Sequence, residues 1–263
     1  MKSLILYFST TGNTKLACEY IAKKIPEAHF ELVDITRDGK PDFTQYQLVG
    51  FAAFADFIAP SKRMADFICG IPTQNRTPAF VFNTYGNFNG GTLKLLGKWV
   101  RAKGFQVLAG LALNTPENVP PLIVGGLANT HLPNDRQLAQ FEEFIDGLRE
   151  IVDDLSNGRR PKAKPLRVSW LERLLPATPR IVGRWVMGRK QVDTARCTQC
   201  GICEKSCPYG VIALNPFPTF APKRCYGCWS CYNHCPARAI YTKMAKDAGH
   251  YPQPHPELRK KLE

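Results

Sequence analysis

Apolar residues run almost without interruption through 3–8 (SLILYF), 47–54 (QLVGFAAF), 78–83 (PAFVFN) and 106–113 (QVLAGLAL), with a weaker run at 29–34 (HFELVD). Each run is short and bounded by polar or turn-forming residues, which predicts five strands buried on both faces. Between them the apolar spacing changes to three and four. Leu16, Ala17, Tyr20, Ile21 and Ile25 share one face of a helix over 13–25, and similar patterns cover 61–70, 91–103 and 134–155, the last opening at Asn134 and Asp135. Strands alternating with helices predict an α/β domain built on a doubly wound parallel sheet of five strands, either in the order 2-1-3-4-5 or as half of a Rossmann fold.

The pattern breaks at 157–165 (NGRRPKAKP), a basic, proline-bearing linker, and is followed at 166–188 by a basic amphipathic stretch around Pro176 and Pro179. That stretch reads as a helical connector packed on the domains, with a partner-docking or membrane-surface role left open. An internal repeat comes next: CTQCGICEKSCP (197–208) and CYGCWSCYNHCP (225–236) superpose with a shift of 28, which also carries Ile212 onto Ile240. The expected organisation is therefore a sheet domain over 1–156, a connector over 157–189, a small cysteine domain over 190–245 and a tail over 246–263. The tail reads equally as a strap or a loose end.

Composition (44% hydrophobic, 22% charged) is that of a folded soluble protein, and no span of 18 or more apolar residues exists, so no transmembrane segment is expected. Ten cysteines would suggest disulfides in a secreted protein, but eight of them fall between Cys197 and Cys235 in a chain that enters a strand at once, without an export signal. This predicts a cytoplasmic protein with reduced thiols available to metal. The formal charge of +13 stays positive even after about six negative charges on bound cofactors are restored. A basic surface fits an acidic redox partner, while the absence of interleaved aromatic and basic clusters outside the connector argues against nucleic acid.

Each repeat unit is Cys-x2-Cys-x2-Cys-x3-Cys-Pro, the spacing that wraps three irons of one [4Fe-4S] cluster and sends the fourth cysteine to the other. Cys197, Cys200, Cys203 and Cys235 are thereby assigned to one cluster, and Cys225, Cys228, Cys231 and Cys207 to the second. Structural zinc normally shows two separated Cys-x2-Cys pairs, not three cysteines within seven residues. Small neighbours (Gly201, Gly227, Ser230) leave amides free to donate to cluster sulfur, and His234 reads as a surface residue. The remaining cysteines, Cys18 and Cys69, are expected to be buried packing residues. The segment resembles the bacterial-type two-[4Fe-4S] ferredoxin domain, a resemblance that implies a small α+β, pseudo-twofold fold with two clusters close enough for fast one-electron transfer.

Ser9-Thr10-Thr11-Gly12-Asn13-Thr14 leaves the first strand and opens the first helix, so backbone N–H groups, short hydroxyls and the positive end of a helix dipole converge where a phosphate monoester can bind without lysine. The run resembles the flavodoxin phosphate loop, with Thr11, Gly12 and Thr14 in place, and Gly-x-Gly-x-x-Gly occurs nowhere in the chain. The resemblance implies FMN and a flavodoxin-like strand order, 2-1-3-4-5. Ligands in such sheets lie beyond the carboxyl ends of the strands, so the ring is expected between Ala53-Phe54-Ala55 after strand three and Asn83-Thr84-Tyr85-Gly86 after strand four. Tyr85 fits the aromatic that flavodoxins place against the flavin, Phe54 fits less well because a core role and Phe57 compete, and 116–118 can close the rim.

Joined in one chain, the two motifs resemble the fused flavodoxin-ferredoxin proteins of anaerobes. That resemblance implies an electron-transfer flavoprotein exchanging two-electron for one-electron traffic with redox partner proteins. The other reading is a flavin-dependent oxidoreductase in which FMN reduces a small acceptor such as a quinone or dioxygen and the clusters feed it. No acid or base beyond Asp56 is evident in the flavin loops and no nicotinamide motif is present, which favours the carrier. The long connector also allows a head-to-tail homodimer.

Overall fold

β1 (Ser3–Tyr7) lies inside a parallel sheet with β2 (Phe30–Asp34) on one side and β3 (Leu48–Phe54) on the other; β4 (Pro78–Tyr85) and β5 (Gln106–Asn114) continue it, giving the order 2-1-3-4-5. That is the flavodoxin-like order, with the topological switch between β1 and β3. The computed structural model describes residues 1–37, 39–166, 188–246, 249–251 and 253–263.

Alternate side chains of the strands feed two cores. On one face Ile5, Tyr7, Phe80 and Phe82 pack against Ile21 of α1 (Asn13–Lys24) and Phe141, Ile145 and Leu148 of α5 (Asp135–Ser156). On the other, Leu4, Leu6, Phe51 and Val81 meet Met64 and Ile68 of α2 (Lys62–Gly70) and Leu96 and Val100 of α3 (Thr92–Ala102). Gly50 interrupts β3 because a Cβ there would collide with the ring of Phe80. α5 starts where its sequence says it should: Asn134 accepts from the backbone N–H of Gln137 and Gln137 reaches back to that of Asn134. A short α4 (Pro120–Val124) sits after β5.

Cys18 is fully buried, as expected, but Cys69 is exposed: α2 turns Met64 and Ile68 inward, and its sequel Cys69 faces away from that stripe. Residues 157–166 run back along the sheet domain, where Lys164 N–H donates to the carbonyl of Leu108 at 2.7 Å and Leu166 packs on the second core. Residues 167–187, most of the expected amphipathic connector, lie outside the described residues.

The cysteine segment folds on a local twofold. β6 (Gln191–Val192) pairs antiparallel with β9 (Ile240–Tyr241), and β7 (Ile212–Leu214) pairs with β8 (Pro218–Phe220); α6 (Ile202–Lys205) and α7 (Ser230–Asn233) are related by the same shift of 28 seen in the sequence. The tail is a strap. Tyr251 is buried, and α8 (Pro256–Leu262) inserts Leu258 and Leu262 into the core beside α1. Among the described residues no helix is long and apolar enough to cross a membrane.

Candidate functional site

At the carboxyl end of the sheet a cavity of about 410 Å³ is lined by Ser9, Thr10, Thr11, Asn13 and Thr14 from the first loop and by Thr84, Tyr85 and Gly86 from the fourth strand's loop. Its volume falls within the range of small-ligand pockets. Gly12 caps α1 with φ +90°, a left-handed conformation that side chains resist, and its own flank faces Pro254 of the strap, not the cavity. The first-turn amides of α1 have no partner within the helix and point into the loop. Two cross-links hold the loop open: the hydroxyls of Thr14 and Thr84 meet at 2.8 Å, and Asn118 Nδ2 donates to Thr11 Oγ1 at 2.7 Å. Asn13 is spent structurally, donating to Pro116 O and accepting from the Tyr251 hydroxyl.

Of the residues expected around a flavin ring, Phe54, Ala55, Thr84, Tyr85 and Gly86 line the cavity, whereas Ala53 and Asn83 do not. Ala53 is fully buried in the second core, because its neighbours on β3 alternate between faces, and Asn83 donates to Asn89 Oδ1 at 2.8 Å behind the wall. Phe54 reconciles its two readings: its ring lies 5.1 Å from Phe8 and one side borders the cavity. Phe57, Ile58, Phe88 and Leu122 also line it. Phe57 and Ile58 reach it through left-handed backbone (φ 56° and 63°), and Phe88 is 63% exposed. An exposed phenylalanine beside Gly90 and Gly91 was the available signal for the rim, but periodicity reads loops poorly.

Glu117 is the keystone of that rim. It is buried, and its carboxylate accepts from Asn87 N–H (3.1 Å), Asn87 Nδ2 (2.9 Å), Asn118 N–H (2.9 Å) and Val119 N–H (3.0 Å), tying the loop after β4 to the loop after β5. Gly86 is required beside it, since any Cβ would strike the carboxylate. The chemistry of this lining fits a phosphate monoester carrying a flat ring: amides and hydroxyls at one end, Phe54, Tyr85 and aliphatic groups at the other.

The cysteines line two recesses and divide as their spacing assigns them. One is walled by Cys197, Cys200, Cys203 and Cys235, the other by Cys207, Cys225, Cys228 and Cys231, so each repeat lends its last cysteine to the opposite set. Left-handed residues recur at twofold-related places, Gln199 with Gly227 and Gly201 with Trp229. Among the described residues no group of three or more His, Cys, Asp or Glu is set to hold a metal ion. The donors instead surround a void, the arrangement a polynuclear cluster needs. Burial pushes the Cys228 thiol up to about 12 and Cys231 well above its ordinary value, and the Asp56 carboxylate adds to the rise at Cys228. Thiols in this state become ligands by exchanging protons for metal. His234 is half-buried, its Nδ1 2.8 Å from Ser230 O.

The two sites share walls. Asn233 Nδ2, on α7 beside Cys231, donates to the carbonyl of Asn118 at 3.1 Å, and Val119 lines the cavity while packing into the cysteine core. Ser9 and Thr10 border the cavity on one side and, on the other, a groove of about 420 Å³ that reaches Cys207. The recess of Cys207, Cys225, Cys228 and Cys231 is thus the one facing the cavity.

Residues 196–240 match the 4Fe-4S dicluster domain. A stretch of 62 residues, 23% of this chain, is 34% identical to the NADH-dependent phenylglyoxylate dehydrogenase subunit delta of Aromatoleum evansii and covers 67% of that subunit. The chain belongs to the 4Fe-4S dicluster family. Its dicluster segment is preceded by a sheet domain similar to a flavodoxin from the domain Archaea (17% identity, 58% of this chain and 99% of that one, TM-score 0.43). It is also similar to rubredoxin oxygen:oxidoreductase from Desulfovibrio gigas (15% identity, 59% of this chain and 37% of that one, TM-score 0.42). These likenesses are distant, and the strand order itself carries the flavodoxin-like assignment of the domain fused to the dicluster unit.

Proposed function

We propose that the protein is an electron-transfer iron-sulfur flavoprotein that relays electrons between FMN and two [4Fe-4S] clusters within one chain. FMN would supply a centre that takes or gives two electrons together or singly, and each cluster a centre that carries one. Ser9, Thr10, Thr11 and Thr14 hold the phosphate, Tyr85 and Phe54 flank the ring, and Glu117 fixes the two loops between which the ring lies. The cysteine sets hold the clusters as divided above, with the Cys207 set nearest the flavin.

The observation that supports this reading best is the shared wall: Val119 and Asn118 belong at once to the flavin cavity and to the packing of the cysteine domain. Neither site is built to work at a distance from the other. Among the described cavity residues the carboxyl group, that of Glu117, is held by four donors, which leaves it no role as an acid or base toward a small acceptor. This favours the carrier over the flavin-dependent reductase. The two domains, their limits near 156 and 190, a cytoplasmic location and acidic redox partners complete the proposal; the basic residues Arg37, Arg63 and Lys205 around the groove suit such partners.

Anaerobic purification should give about eight iron and about one FMN per chain. Stopped-flow reduction should then bleach flavin and clusters with concentration-independent coupling. Zinc in place of iron, or coupling that appears only on adding a second protein, would refute it.

A further inference from the structure

We propose that Lys190 sets the two iron-sulfur centres apart in potential, by placing an ammonium charge in the wall of the recess formed by Cys207, Cys225, Cys228 and Cys231. The inference rests on the reading of the recesses as cluster sites. Lys190 immediately precedes β6 and is only 9% exposed, and its Nζ has no hydrogen-bond partner among the described residues. It lies 3.2 Å from the centre of the Trp229 ring, which attracts a cation without neutralising it. Lys190 lines the recess together with the four cysteines.

The local twofold makes the case, because it supplies an internal control. The shift of 28 that carries one cysteine set onto the other carries Lys190 onto Pro218, and Pro218 lines the other recess at the matching place. One recess therefore has a buried cation where the other has a proline ring, with the cysteine spacing identical in both. A positive charge in a low-dielectric wall stabilises the more negative, reduced cluster and raises its potential. The burial of an ammonium without a hydrogen-bonding partner is costly unless the recess holds negative charge. Four thiolate ligands provide it. The centre held by Cys207, Cys225, Cys228 and Cys231 would then be the more readily reduced of the two.

The test is an anaerobic potentiometric titration of the full holo chain followed by electron paramagnetic resonance. The native protein should give two midpoints. Lys190→Met should lower the higher one and leave the lower unmoved, and Lys190→Arg should keep both. Pro218→Lys, which leaves Lys190 in place, should raise the lower midpoint. Unmoved midpoints in both Lys190→Met and Pro218→Lys with full iron, or equal movement of both centres in Lys190→Met, would overturn the proposal. If Lys190→Met fails to take up iron, the Pro218→Lys midpoint decides alone. A native chain that binds no iron would instead overturn the cluster reading beneath it.

Discussion

The hydroxyl of Tyr251 donates to Asn13 Oδ1 at 2.8 Å, joining positions 238 residues apart. Through it the strap reaches the loop that opens α1, and Pro254 closes over Gly12 from the same side. Tyr251→Phe leaves the Asn13 oxygen buried without that donor, a loss of about 1 kcal/mol or more. FMN affinity should fall roughly five- to tenfold, measured by fluorescence titration of the flavin-free protein. Unchanged affinity would mean that the strap does not order the phosphate loop.

Glu117 holds two loops with one carboxylate. Glu117→Gln keeps the shape but exchanges one acceptor oxygen for a donor, which then faces either the two Asn87 N–H groups or the backbone N–H groups of Asn118 and Val119, and each mismatched buried pair costs about 1–3 kcal/mol. The expected result is a lower thermal midpoint and faster flavin release, by at least about tenfold. Asn129→Ala, which removes only the bond to Asn87 Oδ1 at the outer edge, should have a much smaller effect.

Cys207 stands in the first repeat and lines the recess of the second. Cys207→Ala should therefore reduce iron from about eight to about four per chain and strip the centre made by Cys225, Cys228 and Cys231. Cys69→Ala, at an exposed thiol away from both recesses, should leave iron untouched. Loss of the first repeat's own centre in Cys207→Ala would refute the crossed assignment.

Acid should loosen the strap. His255 Nδ1 accepts from the Glu257 N–H at 3.2 Å, capping α8, and burial lowers the pKa of the ring below its ordinary 6.5. Below that value the unfolded strap binds a proton more readily than the folded one. The stabilisation is therefore whole above 6.5 and is lost as pH falls through the lower folded value. Amide protection factors over 253–263, which remove the intrinsic pH dependence of exchange, should fall as pH drops below 6.5, and His255→Asn, which caps without titrating, should flatten the dependence.

The sheet was legible because its strands are apolar runs of buried type, and the cysteine domain because metal ligation demands fixed spacing. Thr11, Thr14 and Tyr85, which line the cavity, stand out in the sequence as a run of small polar residues between strand and helix and as an aromatic at the end of a strand. Ala53 and Asn83 do not line the cavity, because β3 and β4 alternate their faces and neighbours in sequence are not neighbours at its wall. Phe57, Ile58 and Phe88 lie in loops whose course depends on left-handed backbone that no periodicity reports. The strap escaped a decision because α8 is short, and its worth lies in Leu258 and Leu262 meeting a core formed more than a hundred residues earlier.

The exchange of Cys207 and Cys235 between repeats has a consequence for biogenesis. The recess of Cys207 lacks its other three cysteines until residue 231 has left the ribosome, and that of Cys197 lacks its fourth until residue 235, so the first repeat alone would have nowhere to keep a finished centre. Under the proposed assignment, iron and sulfide would enter only once the second repeat is present.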